Sequence, residues 1–122
     1  MSKTILIVDD SASIRQVVGI TLKGAGYSVI EAVDGKDALA KLESAPKINL
    51  VISDVNMPNM DGISFLKEFK QKPAYKFTPV IMLTTEGAEA KKREGQAAGA
   101  KAWVVKPFKP EQMLQAVSML IN

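Results

Sequence analysis

Histidine and cysteine are both missing from this chain of 122 residues. Without cysteine there are no disulfides and no thiolate chemistry. Without histidine there is no imidazole base, no Ser-His-Asp triad and no His-ligated zinc. The chain cannot itself carry a phosphohistidine. Any metal must be held by oxygen, which favours Mg2+, Ca2+ or Mn2+. Long hydrophobic runs are also missing. Apolar residues make up 47% of the sequence, yet the aliphatic runs stop at about strand length, too short to cross a membrane. A chain this apolar is not disordered, and its length predicts one domain, residues 1–122, with a proper core. No secretory cleavage pattern is visible, because Met1-Ser2-Lys3-Thr4 leads straight into a strand-like run. A cytoplasmic location is therefore expected. The net charge of +3 permits an acidic partner but does not argue for nucleic acid.

What is present is a set of polar residues placed after short apolar runs. Asp9 and Asp10 follow Ile5-Leu6-Ile7-Val8, and Asp54 follows Leu50-Val51-Ile52-Ser53. Thr84 follows Val80-Ile81-Met82-Leu83, and Lys106 follows Trp103-Val104-Val105. Short runs of this kind read as buried parallel strands. In an open parallel sheet, ligands bind beyond the carboxyl ends of the strands. Three carboxylates, a hydroxyl and an ammonium should therefore meet on one edge.

Strand-like and helix-like segments alternate along the whole sequence. Strands are expected at 4–8, 27–30, 49–53, 80–83 and about 101–105. A first helix over 11–24 carries Ile14, Val17, Val18 and Leu22 on one face, and Gly24 and Gly26 stop it. Asp34 caps a second helix carrying Ala38, Leu39 and Leu42, and Pro46 ends that region. Asp61-Gly62 open a third helix with Phe65, Leu66 and Phe69. A fourth runs from about Glu86 to Ala98, with Gly99 as its stop, and a fifth starts at Pro110. Five βα units with right-handed crossovers make a doubly wound α/β sheet. The flavodoxin-like strand order 2-1-3-4-5 puts strands 1 and 3 at the switch point, where Asp9, Asp10 and Asp54 would meet.

The chemistry follows from the grouping, since each residue alone has an ordinary explanation. An acidic residue after a strand often caps the next helix, Asp54 sits beside a turn-rich stretch, Thr84 suits a helix start, and lysines are mostly solvated. Three packed carboxylates, however, repel unless a cation or protons neutralise them. A hard divalent cation such as Mg2+ is the simplest solution. Asp54 is the candidate nucleophile, because carboxylates accept phosphoryl groups as aspartyl-phosphates. Phosphoryl transfer needs positioning and charge neutralisation above all, which Thr84, Lys106 and a metal can supply.

With Ile7-Val8-Asp9-Asp10-Ser11, the loop Ser53-Asp54-Val55-Asn56-Met57-Pro58-Asn59-Met60-Asp61-Gly62, Thr84, and Lys106-Pro107-Phe108, the whole chain resembles the receiver domain of two-component response regulators. The single-domain chemotaxis receivers of the CheY type are the nearest match, with no output domain. The resemblance implies phosphorylation of Asp54 by a histidine kinase, with self-dephosphorylation as the only other reaction. It implies Mg2+ bound by Asp10, Asp54 and the Asn56 backbone carbonyl, with Asp9 helping through water. It further implies a cis Lys106–Pro107 peptide and a switch formed by Thr84 and Trp103. A flagellar motor switch protein and a phosphatase are the implied partners of a monomer, with no nucleic acid or membrane involved. Two positions depart from the family pattern. Trp103 stands where Tyr or Phe is usual, and Thr85 where a small residue is common. The thinly apolar fourth helix, with Ala88, Ala90, Ala97, Ala98 and Lys91-Lys92-Arg93, and nearby Lys101 and Lys109, predicts a basic, easily shifted output face on helix 4, strand 5 and helix 5.

Two other readings fit less well, and a third fits the same residues. A haloacid-dehalogenase type phosphatase needs a second Asp two positions after the first, where this chain has Ser11. FMN binding lacks a Ser/Thr/Gly-rich phosphate loop after strand 1. A phosphorelay intermediate or phosphate sink would share the same site and differ only in its partner.

Overall fold

The computed structural model describes residues 3–44, 47–85 and 89–121, and no side-chain detail for residues 85 and 89–91. Five strands, β1 (Thr4–Val8), β2 (Ser28–Ala32), β3 (Leu50–Asp54), β4 (Val80–Thr85) and β5 (Ala102–Lys106), alternate with five helices. The helices are α1 (Ala12–Gly24), α2 (Gly35–Leu42), α3 (Gly62–Gln71), α4 (Glu89–Ala97) and α5 (Pro110–Leu120). All strand pairs are parallel, in the order β2-β1-β3-β4-β5. This is the flavodoxin-like arrangement expected from the sequence.

Strand periodicity divides the core in two. Leu6, Val8, Val51, Val80 and Met82 face α2 and α3, where Ala38, Leu42, Phe65, Leu66 and Phe69 are buried. Ile5, Ile7, Leu50, Ile52, Ile81 and Leu83 face α1 and α5, against Val18, Leu22, Met113 and Val117. Because both faces of the sheet are covered, the strands read as continuous apolar runs instead of alternating ones. Val17, expected on the buried face of α1, is instead 47% exposed. The helix turns its Val18–Leu22 line to the sheet, which leaves Val17 one step outside the contact.

Local signals set the boundaries. Ser11 caps α1, Asp34 caps α2 and Asp61 caps α3, each accepting a backbone N–H three residues on. The α1 stop uses Gly26 at φ 97°, where Tyr27 N–H reaches back to the Leu22 carbonyl. The sequence places nothing between α3 and β4. There the chain makes one 3-10 turn, Pro73–Tyr75, held by Tyr75 stacked on Phe69 at 4.8 Å. β2 starts one residue late and runs to Ala32 because its ladder matches β1 from Thr4 to Val8. Asp54, Thr84, Thr85 and Lys106 lie on the last strand positions and not after them, since the pairings Asp54↔Leu83, Thr84↔Val105 and Thr85↔Lys106 continue the ladders. The expected stop at Pro46, the start of the fourth helix at Glu86 and Ala88 fall outside the described residues, as do the side chains of Thr85, Ala90 and Lys91. No described helix is long and apolar enough to cross a membrane.

Candidate functional site

β1 and β3 are neighbours, so the residues that end them share one edge. Asp9 is fully buried there, and its backbone N–H is held by the Ala32 carbonyl of β2 at 3.1 Å. Its Oδ1 accepts the Ser11 N–H at 2.9 Å. Ser11, and neither aspartate, is the cap of α1. Asp10 is exposed, while Asp54 is buried at the end of β3. Carboxylate oxygens of Asp9, Asp10 and Asp54 all lie within 4.8 Å of one another.

Lys106 reaches this cluster from β5. Its Nζ lies 3.2 Å from Asp9 Oδ2 and 3.1 Å from Asp54 Oδ1. The lysine is therefore not a solvated surface residue. Burial and the charge of Asp9 push the Asp54 carboxyl up from its ordinary value, against the pull of Lys106. Burial works against the charged form of Lys106, but its hydrogen bonds and attraction to Asp54 and Asp9 win, and its pKa is raised. The nearby Arg15 guanidinium is engaged elsewhere, by the Asp9 backbone carbonyl at 2.6 Å and Glu31 at 3.3 Å.

One ammonium among three carboxylates leaves two negative charges unmatched. An all-oxygen donor set, buried on one side and open at Asp10, suits a hexacoordinate hard cation that keeps several waters. The residues therefore fit Mg2+.

The β3–α3 loop, which carries Asn56, is closed by two backbone bonds. Val55 N–H donates to Leu83 at 3.1 Å, and Gly62 N–H donates to Val55 at 2.8 Å. Gly62 is required by close approach: a Cβ there would sit 1.9 Å from the Asp54 carbonyl oxygen. Thr84 is buried near the end of β4. The Lys106–Pro107 peptide is cis.

Trp103 is not brought to the carboxylates. On β5 it pairs with Met82 of β4, and its ring lies against Gly95 of α4, where a Cβ would come within 2.4 Å of indole Cζ2. Its Nε1 is the one buried side-chain polar atom without a partner among the described residues. Lys92 is half-buried and Arg93 exposed, and Glu94 pairs with Lys67 of α3 at 3.6 Å.

Two residues beside the site escape sequence reasoning as a pair. Asp34 reads as a helix cap and Asn59 as a turn residue, yet Asn59 Nδ2 donates to Asp34 Oδ2 at 2.7 Å. Arg15 was also missed, because nothing in its own stretch of sequence marks it.

The family profile of the response regulator receiver domain matches residues 5–118. The chain is 35% identical over 119 residues to the chemotaxis protein CheY1 of Helicobacter pylori, covering 97% of this chain and 96% of that one. It is 38% identical over 118 residues to the transcriptional regulatory protein ResD of Bacillus subtilis, covering 97% of this chain but 48% of the other. Among solved structures, the chemotaxis response regulator CheY4 of Vibrio cholerae superposes with a TM-score of 0.93 at 50% identity, over 99% of this chain and all of that one. The carboxylate cluster, the lysine that bridges it, the strand order and these likenesses agree: the chain belongs to the response regulator receiver family, as a single-domain CheY-like receiver.

Proposed function

We propose that this chain accepts a phosphoryl group on Asp54 from the phosphohistidine of a histidine kinase, in a Mg2+-dependent reaction. The observation that carries the reading is the Lys106 ammonium bridging Asp9 and Asp54 inside the acidic cluster. An Asp54 oxygen forms the new bond to phosphorus as the phosphorus–nitrogen bond of the donor breaks, and the imidazole leaves with the bonding pair. Asp10, Asp54 and the Asn56 carbonyl would hold Mg2+, with Asp9 acting through water, and the ion would screen the negative oxygens. Lys106 offers the transferred group a cation already in place, and Thr84 a hydroxyl on the adjoining strand.

Phosphorylation adds charge and acceptor oxygens that need new partners. Moving Lys106 and Thr84 toward them would bias Trp103, α4 and α5. A complete shift takes about 5.5 kcal/mol of differential interaction. One charge-assisted hydrogen bond gives roughly 1.5–3 kcal/mol, so Thr84 and Lys106 must act together with the cation. The output surface is the cleft of about 510 Å3 between β5 and α5, lined by Trp103, Val105 and Met119 among others. Val105 is 45% and Met119 74% exposed there, which offers apolar side chains to a partner.

The names of the relatives favour a role in chemotaxis, and for that role we infer a flagellar motor switch protein as the partner and a phosphatase as the antagonist. We read residues 1–122 as one receiver domain, monomeric and cytoplasmic, without nucleic acid or membrane. It would be no enzyme beyond its own phosphorylation and dephosphorylation.

The test is intact mass after acetyl phosphate and Mg2+, with Trp103 fluorescence on the same sample. A phosphoryl adduct absent from Asp54→Asn is expected. No adduct in the unaltered chain would end the reading.

A further inference from the structure

Two loops flank the acidic site, and they are joined to each other. The β3–α3 loop carries Asn56 and has its apex at Asn59 and Met60. The β2–α2 turn carries Asp34 and Gly35. Asn59 Nδ2 donates to Asp34 Oδ2 at 2.7 Å. One residue along, Gly35 has room for no side chain, since a Cβ would lie 2.7 Å from Met60 Cγ and 3.0 Å from the Met60 carbonyl oxygen.

Three features mark this junction as built. Asn59 has φ 66°, a left-handed conformation that glycine adopts more easily. An asparagine there keeps the strain and gains a side chain that reaches Asp34. A carboxylate only accepts, so the Asn59 amide must present its NH2 group. Asp34 is almost fully buried and uses both oxygens, since Oδ1 caps α2 by accepting Asp37 N–H at 2.8 Å. The hydrogen bond from Asn59 also holds the Asp34 carboxyl below its ordinary value. Finally, the turn is anchored. Asp37 Oδ2 accepts Val33 N–H at 2.9 Å, and Lys41 joins Asp37 at 3.2 Å to the Glu31 carbonyl at 2.6 Å.

We propose that Asp34 and Asn59 are positioning residues: together they brace the β3–α3 loop against the N-terminus of α2, so that the Asn56 carbonyl is held where the cation is received. The inference rests on the reading of the acidic cluster as a Mg2+ site. Asn56 lies between the brace, three residues on, and the base of the loop, which the Gly62–Val55 bond closes at 2.8 Å. The brace fixes the apex. Without it the carbonyl has more orientations to lose on binding, and affinity falls. Outer partners that orient a metal ligand are commonly worth about 10–100-fold in affinity.

Two variants separate this role from stability. Asn59→Gly keeps the left-handed backbone and removes the amide. Asp34→Ser keeps a cap for α2 and removes the second acceptor. Calorimetric titration with Mg2+ should show about a tenfold weaker dissociation constant for each, at the low end of the outer-partner range. The double variant should be no weaker than the singles, as expected for two residues in one contact. The melting temperature of Asn59→Gly should fall by only a few degrees, because relief of the left-handed backbone offsets part of the lost hydrogen bond and of the freer unfolded chain. Mg2+ affinity in Asn59→Gly within about twofold of the parent would overturn the brace and leave the metal site standing. If the parent itself takes up no Mg2+, the reading of the site fails, and the brace with it.

Discussion

At the scale of single residues, the site is a charge problem that the protein leaves unsolved. Burial and Asp9 raise the Asp54 pKa above its ordinary value. A carboxyl raised on folding holds its proton more tightly in the folded chain, so stability falls as pH rises from the ordinary carboxylate value through the raised one. Above that window the ionised group is a standing cost. Asp54→Asn should therefore raise the melting temperature of the metal-free chain by a few degrees at neutral pH, measured by calorimetry. The same variant should lose most of the stabilisation by Mg2+. Lys106 carries the opposite sign. Its raised pKa means stability that is full below the ordinary lysine value and is lost only as pH climbs through the folded one. Lys106→Met keeps the stem and removes the charge shared by Asp9 and Asp54. It should cost about 2 kcal/mol in urea unfolding without metal, less than for a fully buried pair because Lys106 keeps some contact with water.

At the scale of elements, caps and close approaches decide what can move. Asp61 holds the start of α3 through Ser64 N–H at 2.8 Å and the Ser64 hydroxyl at 3.0 Å. Asp61→Ala should cost about 1 kcal/mol of stability in chemical denaturation. α4 contrasts with α3. Gly95 lies mid-helix, where alanine would favour the helix by about 1 kcal/mol, and its missing Cβ is the seat of the Trp103 ring. Gly95→Ala should push the indole outward, with red-shifted emission and stronger iodide quenching. An unchanged spectrum would show that the ring does not rest there. Much of this level was legible in the sequence. Strand runs, caps at Asp34 and Asp61, and the glycine stop after α1 are encoded within a few residues. The seat of Trp103 was not, because a helical glycine signals only that something comes close. The Asp34–Asn59 bond spans 25 positions, and each partner already has a sufficient local role. The extension of β4 and β5 through Thr84 and Lys106 depends on pairing between strands, which a polar residue at the end of an apolar run conceals.

At the scale of the whole molecule, the site and the stability of the fold are linked through one cation. A ligand that binds only the folded chain stabilises it by about 2.7 kcal/mol at a hundredfold excess over its dissociation constant. The melting temperature should climb with the logarithm of Mg2+ concentration. Because the Asp54 carboxyl titrates above the ordinary range, acid should compete with the cation sooner than for a solvated aspartate. The Mg2+-induced rise should shrink as pH is lowered into the acidic range, while Asp54→Asn shows little pH dependence of its smaller rise. The sheet separates this edge from the opposite one, where Phe77 stands 88% exposed beside Lys76. The two faces of the sheet also bury separate sets of side chains, one under α2 and α3 and one under α1 and α5. Both reach the proposed output surface, the first through Trp103 and the second through Val104 and Ala116.

The closeness of Gly62 to the Asp54 carbonyl has a genetic consequence. Every amino acid that a single base change can substitute for glycine carries a Cβ. No missense change at codon 62 therefore leaves the backbone where it is. In a random mutational library selected for signalling, that codon should return only synonymous changes, although its residue bears no functional group.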